Sequence, residues 1–80
     1  MYRYHINLFD DWVVIDEEGC DLPDLAAAKA RAISGGRGVM AEHLLAGRPL
    51  NLDHRLEITD EHGAVLAVLY FRELTTIHNC

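Results

Sequence analysis

Five histidines, thirteen acidic residues and two cysteines are the groups in this chain that could carry chemistry. A metal site needs several of them on one face, as a His-x-x-x-His or Cys-x-x-Cys spacing provides. His5, His43, His54, His62 and His78 fall in separate stretches, and neither spacing occurs, so no metal and no cofactor is expected. A nucleophilic cysteine needs electropositive surroundings that hold its thiolate. Cys20 lies instead among Glu17, Glu18, Asp21 and Asp24, which repel one. Those acids also lack the ligand pattern of an EF-hand loop, and a turn followed by a helix cap accounts for them. Residues 34–38, Ser-Gly-Gly-Arg-Gly, have the glycines of a phosphate-cradling loop, but the lysine of a P-loop and an apolar strand leading in are missing. An enzyme would have to draw on Cys20, His43 or His54. The expectation is a non-enzymatic protein with no catalytic residues.

Charge and length narrow the partners. The formal net charge is −6, and the seven basic residues, Arg3, Lys29, Arg31, Arg37, Arg48, Arg55 and Arg72, are scattered. An acidic protein without a basic cluster repels phosphate, so direct nucleic-acid binding is not expected. A basic protein would be attracted. Eighty residues, half of them hydrophobic, make one domain spanning 1–80, with a modest core. No run approaches the roughly 20 apolar residues that span a bilayer, and the N-terminus opens without the apolar core of a signal peptide. No membrane association is expected, and the protein is read as cytoplasmic. Two cysteines, one of them the last residue, make no disulfide framework, so reduced thiols are expected.

The element that must position everything else is residues 21–47, which read as one long helix. Asp21 is the expected N-cap, with Pro23 in the first turn and Asp24 as a box-like partner. Gly47 suits the left-handed residue that closes a helix, and Pro49 forbids continuation. At 3.6 residues per turn, Leu22, Leu25, Ala28, Ala32, Ile33, Gly36, Val39, Met40, His43 and Leu44 share one face. Lys29 falls inside that stripe. Three interior glycines cost about 1 kcal/mol each relative to alanine, and the predicted helix overhangs its strands, so a kink or break is expected within residues 34–38, or else an overhang used in a dimer.

Strand patterns flank this helix. Residues 2–9 alternate, with Tyr2, Tyr4, Ile6 and Leu8 on one face. Asp10-Asp11 makes a turn into a second strand over 12–15, and residues 16–19 turn toward the helix. A third strand places Leu52, His54, Leu56 and Ile58 inward. A turn over 60–63 leads to a fourth strand, 64–71, apolar on both faces. Residues 72–80 trail off as a tail or short final strand anchored by Leu74 and Ile77. The order strand, strand, helix, strand, strand predicts a two-layer α+β fold, a four-stranded antiparallel sheet with one long helix packed on one face.

The turn and helix start Asp16-Glu17-Glu18-Gly19 and Asp21-Leu22-Pro23-Asp24-Leu25-Ala26-Ala27-Ala28 carry a resemblance. So do an opening Tyr4-His5-Ile6-Asn7 and a closing Leu66-Ala67-Val68-Leu69-Tyr70-Phe71-Arg72. The chain resembles an uncharacterised bacterial family, domain-of-unknown-function family 6894. The resemblance spans nearly the whole sequence, supports the fold and implies a bacterial origin. It implies no activity and no catalytic residue. The glycine-rich residues 34–38 depart from the family's alanine-rich helix.

With the helix placed over Leu66 and Val68, the opposite side of the sheet would carry Val13, Ile15, Val65, Ala67, Leu69 and Phe71. These are the candidate interface residues, and a twofold homodimer is the simplest cover for them. The chain is therefore expected to be a small interaction or regulatory protein. The alternative is an acidic neutraliser of another protein, antitoxin-like or a phage-type inhibitor of a nucleic-acid-handling complex such as an anti-CRISPR.

Overall fold

The computed structural model describes residues 1–75. The central strand is β1, Tyr2–Phe9, whose alternating side chains give Tyr4, Ile6 and Leu8 to the core and Arg3, His5, Asn7 and Phe9 to the other side of the sheet. It pairs antiparallel with β4, Arg55–Thr59, along one edge, bringing His5 opposite Thr59 and Phe9 opposite Arg55. Its other edge is shared by two short strands. β2, Val13–Val14, pairs with Leu8 and Phe9, and β3, Cys20–Leu22, pairs with Tyr2 to Tyr4. β5, Val65–Tyr70, lies outside β4 and gives the order β2-β1-β4-β5. The two-layer α+β arrangement is the one the sequence predicts, with β3 as a fifth strand.

That extra strand corrects the helix start. Leu22 pairs with Tyr2 and Asp21 with Arg3, so both belong to the sheet. The N-cap is Asp24, not Asp21: its Oδ1 accepts from the Ala27 amide at 2.8 Å, and α1 runs Leu25–Leu45. Asp21 instead holds the Arg3 guanidinium through both carboxylate oxygens, at 3.1 and 3.2 Å. The helix ends as expected. Gly47 adopts φ +67, its amide donates to the Leu44 carbonyl, and the Arg48 amide donates to that of His43, the paired bonds of a Schellman close.

α1 covers one side of the sheet through Ala28, Ala32, Gly36, Met40 and His43, all buried. Small residues at a spacing of four let its first half approach closely, so Ala28 and Ala32 meet Tyr4 and Ile58 directly. Further along, Met40 packs with Leu56, Phe71 and Leu74. No break occurs within residues 34–38, contrary to expectation; α1 is continuous there. A Cβ on Gly36 would come within 2.5 Å of Leu74 Cδ1 and 2.7 Å of Leu56 Cδ1. The glycine is a contact point with the sheet, and packing offsets its low helix propensity. Leu44, expected on the buried stripe, is 66% exposed, because the buried face of α1 passes from Met40 to His43 instead. After β5 the chain turns through a single 3-10 turn, Phe71–Glu73, which buries Phe71 completely. The expected tail contacts of Ile77, with His78 and Cys80, lie outside the described residues. Among the described residues, no helix is long and apolar enough to cross a membrane.

Candidate interaction surface

Leu56 and Ile58 of β4 are buried under α1, so Arg55, Glu57 and Thr59 turn to the other side of the sheet. The same alternation puts Arg3, His5, Asn7 and Phe9 of β1 there. In β5 a bulge decides the faces. Ile58 pairs with Ala67 but Thr59 pairs with Val65, leaving Leu66 as the extra residue. One inserted residue reverses which side chains point inward. Ala67 and Leu69 therefore pack against the core under α1, while Val65, Val68 and Tyr70 stand on the uncovered side.

The predicted interface set is thus divided. Val13, Ile15 and Val65 are 64%, 52% and 53% exposed on the uncovered side. Ala67, Leu69 and Phe71 are core residues, and Val68 and Tyr70, partly exposed, take their place on the surface. The middle of this side is polar. Arg55 Nε donates to Glu57 Oε2 at 2.8 Å and stacks 4.4 Å above the Phe9 ring, while Ile15 and Val65 rim a shallow depression floored by His5, Asn7 and Thr59. Glu17, Asp60 and Glu61 border the same depression.

Asp16 closes the gap between β2 and β3. Its carboxylate accepts from the Ile6 amide at 3.2 Å and the Gly19 amide at 3.0 Å, and its own amide donates to Asn7 Oδ1 at 2.9 Å. A side chain thus replaces the missing stretch of ladder. Asp60 acts similarly in the β4–β5 turn. The Ala64 amide foremost, with the His62 amide, holds its carboxyl below the usual aspartate range.

Two histidine–aspartate pairs escape sequence reading. His43 Nε2 lies 3.7 Å from Asp10 Oδ2, both side chains almost wholly buried, and His43 Nδ1 donates toward the Pro49 carbonyl at 3.3 Å. His54 Nε2 lies 3.6 Å from Asp11, its ring edge-on to Phe71 and its buried Nδ1 without a hydrogen-bond partner among the described residues. The β1–β2 turn is thereby clasped from α1 and from the approach to β4. The only available signal was the i,i+3 placement of His43 on the apolar stripe. Among the described residues, no three metal-ligating side chains converge. Cys20 is half-buried, its Sγ 4.0 Å from the Asp21 carbonyl. Arg37, from the glycine-rich stretch, donates to the Leu74 carbonyl at 2.8 Å and so pins the 3-10 turn to α1.

These features define an α+β domain with one helix on one side of an antiparallel sheet and, among the described residues, no element on the other. The chain belongs to the family described as Domain of unknown function (DUF6894), whose model matches residues 3–72. No curated protein and no solved structure matches it.

Proposed function

We propose that this is a small non-enzymatic protein-interaction domain that associates with a second copy of itself. The observation that carries this reading is the uncovered side of the sheet, where Val13, Ile15, Val65, Val68 and Tyr70 are exposed although the fold has a well-filled core opposite. Apolar side chains concentrated on one sheet face are what a partner covers. Sedimentation velocity across the micromolar range tests it. The native chain is expected to dimerise with concentration, and Val65→Lys, which charges the apolar rim, is expected to weaken the dimer at least tenfold, about 1.4 kcal/mol. A chain that stays monomeric throughout overturns the reading.

The acidic neutraliser is a second reading, favoured by the gathering of Glu17, Asp60 and Glu61 at one end of the same side. It requires salt-sensitive binding to a basic protein. A gene for such a protein beside this one, and loss of binding on Glu17→Gln with Glu61→Gln, is its expected outcome.

A further inference from the structure

The outermost strand is β5, and β4 is its one partner among the described residues. The Phe71 amide donates to the His54 carbonyl at 2.8 Å, and successive backbone groups of an antiparallel strand point in alternate directions. Leu69 and Ala67 therefore also turn their backbone groups toward β4, whereas Val68 and Tyr70 turn theirs outward. Two features restrict what can pair with that edge. Glu73 Oε2 accepts from the Tyr70 amide at 2.8 Å, and the bulge at Leu66 interrupts the regular ladder. Bulges and charged side chains are how sheets close edges to indiscriminate pairing. Between them, among the described residues, Val68 keeps both its donor and its acceptor open.

We infer that a second copy pairs at this point, β5 against β5 antiparallel, about a twofold axis through Val68. The Val68 amide of each copy then donates to the Val68 carbonyl of the other. This rests on the interaction-domain reading and specifies its partner and geometry. Register favours it. Moving the axis one residue either way sets Val68 against Leu66, in the bulge, or against Tyr70, whose amide is engaged; only the self-register uses open groups on both strands. Charge favours it as well. No residue from Ala64 to Phe71 is charged, so copies with a net charge of −6 place no like charges opposite each other in the ladder. The exposed Val65, Val68 and Tyr70 side chains border the same edge, so the joined strands become their cross-strand neighbours on the uncovered side. The joined sheet runs β2-β1-β4-β5-β5-β4-β1-β2, and the two uncovered sides become one surface.

Val68→Pro tests this, because proline deletes the outward amide without removing a β4 bond. The variant is expected to keep its circular dichroism and to sediment as a monomer at concentrations where the native chain is dimeric. Hydrogen exchange on the native chain gives a second readout. The Val68 amide is expected to exchange roughly tenfold faster or more when the dimer is diluted apart, while the Ala67 and Leu69 amides stay protected. A dimeric Val68→Pro variant, or a Val68 amide protected at every concentration, overturns edge pairing. If Ile15→Lys alone then yields a monomer, the two uncovered sides face each other and the interaction-domain reading stands. A native chain that is monomeric throughout overturns both.

Discussion

Gly36 touches the ends of Leu56 and Leu74, which are 4% and 2% exposed and must shift to admit a Cβ. Gly36→Ala gains about 1 kcal/mol of helix propensity but overpacks this contact at a cost of about 1–3 kcal/mol, so a net loss of stability is expected in urea unfolding. Gly35 and Gly38 face open space on the same helix. Alanine at either is expected to raise the urea midpoint, each by up to about 1 kcal/mol. Sequence could show three glycines in a helix but not that one of them meets the sheet, since that depends on where Leu74 returns. The same limit explains the interface residues. Alternation in 64–71 is silent because both faces are apolar, and the bulge at Leu66 has no residue signature, so the sequence does not show that Ala67, Leu69 and Phe71 face the core. His43 was legible as buried, but its partner Asp10 was not, because the pairing is made across the β1–β2 turn.

At the scale of elements, two aspartates three residues apart compete for one role. Asp24→Ala is expected to cost roughly 0.5–2 kcal/mol by stripping the first turn of its cap, measured as a fall in the urea midpoint. Asp21→Ala loses an exposed pair with Arg3 and is expected to cost no more than about 1 kcal/mol. The order of those two values decides which residue is the cap. The two were indistinguishable in sequence because a three-residue strand before a helix leaves no periodicity. The β4–β5 turn carries a pH dependence. Asp60 titrates lower in the fold than in the unfolded chain, so its contribution is complete above the unfolded aspartate pKa and is lost as pH falls through the lower, folded value. Asp60→Asn is expected to flatten that part of the acid unfolding curve, and an unchanged curve would count against the two amide bonds. The turns themselves, the Gly47 close and the strand order within each hairpin were readable, since local chemistry determines them.

The molecule is 17 Å across its shortest axis, the depth of one helix on one sheet. That two-layer section was legible, because one amphipathic helix can cover only one face. Which face of β5 it covered, and that β3 joins the sheet, depended on register and not on composition. β1 also has a consequence for how the chain reaches this state. Its pairings with β2 and β3 and the β4–β5 hairpin are local, but the seam joining His5 to Thr59 spans the whole helix. Closing that span must precede any gain from the seam, while the helix itself relaxes in about a microsecond. Closure of the β1–β4 seam is therefore the expected slow step of folding, with the Ala28, Ala32 and Gly36 stripe as the surface on which the strands find their register.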